Sequence, residues 1–182
     1  MSRRAQYVIL CEDLQSQVFL RRALRQRGID TRKVRLLALP SGKGSGEQYV
    51  LQHYAREVEA YRSQSAHMAA ALIVHVDADP QNTVADRHTQ LGAALQQAGQ
   101  LPRGATEHIS HIVPKRNIET WIYFYLNGPP VDEATEYAKY PGNESACWPA
   151  AEKFSDDAVQ NVMPLGAPAS LVQGLQEFKR AL

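Results

Sequence analysis

Four short apolar runs recur along the chain, and each is followed by a stretch with helical spacing. The runs are Tyr7–Cys11 (YVILC), Val34–Leu39 (VRLLAL), Ala70–Val76 (AALIVHV) and Glu107–Val113 (EHISHIV). Tyr7–Cys11, continuously apolar, reads as a strand buried on both faces, Ala70–Val76 as another buried strand, and the two runs that carry polar residues as further strands. Between them, Gln15–Arg27, Glu47 to about Ser63, Thr83–Ala98 and Asn117–Leu126 carry apolar residues at helical intervals. Strands alternating with helices predict an α/β fold with a mainly parallel four-stranded sheet, helices on its faces and right-handed crossovers.

Beyond Gly128-Pro129-Pro130 the pattern weakens. Residues 131–170 are rich in Pro, Gly, Asp and Glu, and a last short helix is expected over Ser170–Leu182. This suggests a main domain over 5–128 and a C-terminal extension over 129–182 that packs on it. The chain has 182 residues, 44% hydrophobic and 21% charged, with net charge +1, an ordinary globular composition with no global basic field. Cys11 and Cys147 form no paired motif, which suits a reduced, cytoplasmic protein. No signal-type apolar region follows Arg3-Arg4, and no apolar run approaches membrane-spanning length.

In open α/β sheets, chemistry collects at the carboxyl ends of the strands. Here those ends carry Glu12, the glycine-rich loop Ser41–Gly46, Asp77-Ala78-Asp79, and Lys115 with Glu119. Carboxylates that converge repel one another unless a cation lies between them or one is protonated. Hard divalent cations take oxygen ligands. Glu12, Asp77 and Asp79 are therefore expected to form one acidic metal site; the bland reading makes Asp77 and Asp79 caps of the following helix.

Three segments resemble the TOPRIM family. Val8–Asp13, a hydrophobic strand ending in glutamate, is similar to its first motif. Val74–Asp79, a hydrophobic strand ending in DxD, is similar to its second. Val113–Trp121 resembles a P-x-x-x-I-E-x-W segment of small TOPRIM proteins related to the overcoming-lysogenization-defect (OLD) nucleases. The likeness covers residues 7–126 and is weak beyond them. It implies a Mg²⁺-dependent (or Mn²⁺-dependent) nuclease acting on nucleic acid, DNA in the first place, with a separate AAA/ABC-type ATPase partner in prokaryotic anti-phage defence. The implied roles are Glu12 as acid/base or metal ligand, Asp77 and Asp79 as metal ligands, Glu119 at a second metal, and Lys115 stabilising phosphate charge. Arg116 and Lys43 would contact the nucleic-acid backbone. The chain departs from the OLD pattern at two places: Asp13 stands where a glycine follows the first glutamate, and Gln17 where a later acid is expected. One metal, recruitment of Asp13, or loss of nuclease activity all remain open, and the alternative is a catalytically degenerate sensor or interaction module.

Other signals are weaker. Lys43 is followed by Gly44, so the Walker pattern is absent and an ATPase is not expected. His108 and His111 lack the spacing of a zinc site, and His75 reads as a core histidine. The dense positive stretch Arg21-Arg22-Arg25-Arg27 reads as a solvated helix face, a phosphate track or an interface to an acidic partner.

Overall fold

A computed structural model describes residues 6–41 and 45–182. The strands are β1 (Tyr7–Leu10), β2 (Val34–Leu36), β3 (Ala71–His75) and β4 (Ile109–Ile112). The helices are α1 (Leu14–Gln26), α2 (Gly46–Ser65), α3 (Val84–Gln97), α4 (Ile118–Asn127), α5 (Trp148–Gln160) and α6 (Ala169–Arg180). All strand pairs are parallel, in the order β2-β1-β3-β4. The expected α/β sheet with flanking helices is thus the observed one.

Strand alternation divides the core in two. Ile9, Cys11 and Ile73 face a layer built by α1, α4, α5 and α6. Leu10, Leu72, Val74 and Val76 face α2 and α3. This follows from the topology: the chain leaves β1 toward β2 and later crosses back to β3, so right-handed crossovers place α1 and α2 on opposite faces. The gap between the carboxyl ends of β1 and β3 is therefore the switch point where such sheets bind ligands. The register pairs Leu10 with Val74, which brings Glu12 level with the residues just after β3.

Residues 131–170 contain a helix that weak periodicity concealed. Pro149 sits in the first turn of α5, where proline is tolerated because the missing N–H needs no partner. Phe154 of α5 packs on Phe19, with centroids 5.3 Å apart, and on Phe178 of α6 at 5.1 Å. The 129–182 segment therefore completes the α1-side core. Trp121 lies fully buried beneath α6: its Nε1 donates to Ser170 Oγ at 2.9 Å, and a Cβ at Gly174 would collide with its ring. Within α4, Trp121 and Phe124 are buried while Tyr123 stacks on Tyr137 at 4.3 Å, so the aromatic helix is chiefly core. Leu14, the first residue of α1, and Leu182, beyond the end of α6, are exposed. Cys11 and Cys147 are free and buried. Among the described residues, no helix is long and apolar enough to cross a membrane.

Candidate metal centre

At the switch point Glu12 leaves β1 and Asp77 leaves β3. The backbone N–H of Asp77 donates to Glu12 Oε1. His75, two residues before Asp77 and on the same strand face, brings Nε2 to 3.2 Å from Asp77 Oδ1 and 3.2 Å from Ser16 Oγ on α1. Among the described residues, Glu12, His75 and Asp77 are the group able to share an ion, with ligand atoms all within 4.8 Å of one another.

Helix starts frame this trio. Asp13 caps α1 by accepting the Ser16 N–H at 2.8 Å. Gly46 opens α2 against Glu12, and a Cβ there would collide with the Glu12 side chain. The close approach of α2 to β1 needs glycine at this position. Glu119, in the first turn of α4, is buried with neither carboxylate oxygen hydrogen-bonded. Asp77 Oδ1 is buried with the His75 ring as its ion-pair neighbour and no well-aligned hydrogen bond, and His75 Nδ1 is buried without a hydrogen-bond partner. Unsatisfied buried carboxylate oxygens are costly and call for a proton or a cation.

The electrostatics agree. Burial, reinforced by the Asp77 charge, pushes Glu12 up to about 8. Burial raises Asp77 as well, against the pull of His75. Burial pushes Glu119 up to about 7, helped by repulsion from Asp13 and Asp77. Burial pulls His75 down, but Asp77, Asp13 and Glu12 outweigh it and leave the imidazole at about 9. Without a metal, protons on these groups and the imidazolium of His75 offset the crowded negative charge.

The remaining expected site residues are placed as follows. Asp79 adopts a left-handed conformation at φ 61° and directs Oδ2 to Arg87 at 3.4 Å. It stands beside the close trio rather than within it, because the left-handed residue turns the chain away from the strand direction that would have aligned it with Asp77. Lys115 Nζ donates to the carbonyls of Asp79 at 3.2 Å and Asn82 at 2.8 Å, clamping the loop after β3 and leaving one N–H unspent. Arg116 pairs with Glu136 at 2.9 Å. Lys43 lies outside the described residues. Gln17 donates to the Leu37 carbonyl at 3.0 Å, so its amide braces the end of β2. His108 and His111 part company: His108 meets the Arg180 carbonyl at 2.7 Å, whereas His111 meets Tyr54 Oη at 2.8 Å.

Sequence reasoning missed Arg87. This fully buried guanidinium donates from Nε to the Asp77 carbonyl at 2.7 Å and from Nη1 to Gln90 at 2.7 Å, and it pairs with Glu47. It ties the starts of α2 and α3 to the loop carrying Asp77. A single arginine one turn into an amphipathic helix carries no distinguishing signal. His75 did carry one, since residues two apart on a strand share a face.

The donor set fits a divalent cation. Glu12 and Asp77 offer hard oxygens, suited to Mg²⁺ or Mn²⁺, and a neutral His75 would favour the softer Mn²⁺. No protein-family model, curated protein or solved structure matches the chain.

Proposed function

We propose that this protein is a metal-dependent phosphodiesterase of the TOPRIM class, holding Mg²⁺ or Mn²⁺ on Glu12 and Asp77 and hydrolysing nucleic acid. The observation that carries the proposal is the convergence of Glu12, His75 and Asp77 at the switch point, with ligand atoms all within 4.8 Å of one another, while the buried carboxylate of Glu119, which no hydrogen bond satisfies, feels the Asp77 charge. Bound there, the cation would neutralise the attacked phosphate and lower the pKa of the attacking water. Glu12 holds one side of the site, and His75 orients the Asp77 carboxylate on the other. Glu119 supplies oxygens for a second ion, Asp79 a more exposed one at the rim, and Lys115 a spare N–H for a phosphate oxygen. The resemblance to OLD-type proteins adds a separate ATPase partner and a role in anti-phage defence to this reading.

Gln17 favours a second reading, a metal-binding module without nuclease activity. Its neutral amide stands where an acid is expected and is spent on a backbone carbonyl.

The test is incubation with plasmid and single-stranded DNA in Mg²⁺ or Mn²⁺, beside Asp77→Asn and Glu12→Gln. Metal-dependent cleavage lost in both variants supports the enzyme. Metal binding without cleavage, with or without a candidate ATPase, supports the second reading.

A further inference from the structure

A second candidate site lies along α1, away from the carboxylates. A cavity of about 390 Å³ opens between α1 and the turn that leads into α5. That volume suits a small organic ligand. Arg21, Arg22, Arg25 and Trp148 are among the residues that line it. Arg22 is satisfied: it pairs with Glu152, and its guanidinium lies 4.6 Å from the Trp148 ring centroid. Arg21 and Arg25 are exposed, and their guanidinium groups have no hydrogen bond or ion pair among the described residues. Among the lining residues the one carboxylate is Glu144, and its Oε1 already accepts the Gly142 N–H at 3.0 Å.

Three arginines within two helical turns repel one another, a cost that an anion would relieve. Trp148 adds a second chemistry. It opens α5 with its indole 42% exposed, while its neighbours Cys147, Ala150 and Ala151 are buried in the core. A flat exposed ring backed by a guanidinium, next to two uncommitted arginines, suits a ligand with both an aromatic base and a phosphate.

We propose that this cavity binds a nucleotide, with its phosphate on Arg21 and Arg25 and its base against the Trp148–Arg22 pair. The nucleotide is either free or one unit of a single strand. The geometry allows the second source. Arg21 lies about 12 Å along α1 from Asp13 at the metal centre. Gln15, in the first turn of α1, donates to the Glu144 carbonyl at 3.0 Å, tying the cavity wall to the helix start beside the carboxylates. The proposal uses none of those carboxylates and stands whether or not the centre cleaves DNA.

The test is done in EDTA, so that no metal contributes. Protein is titrated by calorimetry with 5′-AMP, a short single-stranded oligodeoxyadenylate and inorganic phosphate, with tryptophan fluorescence alongside. Trp121 is fully buried, so a fluorescence change reports Trp148. Saturable binding of 5′-AMP about ten-fold tighter than phosphate is expected, from stacking. Arg21→Ala/Arg25→Ala should weaken binding about ten-fold with the melting temperature unchanged. Trp148→Leu should reduce 5′-AMP to the affinity of phosphate. An oligonucleotide that binds more tightly than 5′-AMP identifies a single strand as the ligand; equal or weaker binding identifies the free nucleotide. Absence of saturable binding by both, phosphate binding as tight as 5′-AMP, or full affinity in the double arginine variant would overturn the proposal.

Discussion

The backbone N–H of Asp77 donates to the Glu12 carboxylate across the gap between β3 and β1. One carboxylate is therefore anchored by the residue that carries the next, and the two cannot move apart without breaking a partly buried hydrogen bond. The consequences are measurable.

The metal-free protein should lose stability as pH rises. Glu12 and Glu119 stand at about 8 and about 7, against 4.5 for an ordinary glutamate, and His75 stands at about 9 against 6.5. All three bind protons more tightly folded than unfolded. Their contribution is full below the unfolded values and disappears as pH climbs through the folded ones. The melting temperature in EDTA should fall between pH 6 and 9. With saturating Mn²⁺ the fall should shrink or reverse, because a cation replaces the protons. A melting temperature in EDTA that climbs toward pH 9 contradicts the assigned electrostatics.

Gly46→Ala separates packing from helix propensity. In an exposed helix the change stabilises by about 1 kcal/mol. Here the new Cβ meets Glu12, so a loss of about 1–3 kcal/mol is expected, together with weaker Mn²⁺ binding. Urea unfolding reads the sign, and a gain in stability rejects the close approach.

Asp79 pays for its left-handed backbone, and glycine removes that cost. Asp79→Gly should leave stability within about 1 kcal/mol of wild type, while Asp79→Val should lose more than about 1 kcal/mol. Both should reduce Mn²⁺ affinity less than Asp77→Asn does, since Asp79 lies outside the close trio. An Asp79 variant that abolishes binding by itself would place this carboxylate at the centre.

Arg87→Met should destabilise the fold by on the order of 3 kcal/mol, by stripping a buried donor from the Asp77 carbonyl and leaving Glu47 without its partner. Denaturant midpoints measure this, and a near-neutral change shows that α2 and α3 hold the Asp77 loop without it.

Much of this arrangement was legible in the chain, for physical reasons that differ by element. The central strands β1 and β3 announce themselves because strands buried in the middle of a parallel sheet demand apolar runs, whereas the edge strand β2 carries the exposed Arg35 and β4 carries Ser110 and His111. Glu12 and Asp77 announce themselves as charges that end such runs. The helix Trp148–Gln160 did not, because the residues before it are turn formers and its buried face sets three alanines, Ser155 and Asp157 around a single Phe154. Asp79 stands beside the close trio rather than in it because its left-handed backbone breaks the strand alternation that two-residue spacing assumes. Arg87 and Gly46 act through contacts between elements distant in sequence, and no local pattern marks such contacts.

The central claim is that Glu12 and Asp77 hold a divalent cation, and calorimetric titration of the purified protein with Mn²⁺ at pH 7.5 tests it most directly. Saturable binding, with proton release, should be lost or weakened at least about ten-fold in Glu12→Gln and in Asp77→Asn while both remain folded. Equal binding by wild type and both variants, or no binding by wild type at millimolar Mn²⁺, contradicts the account.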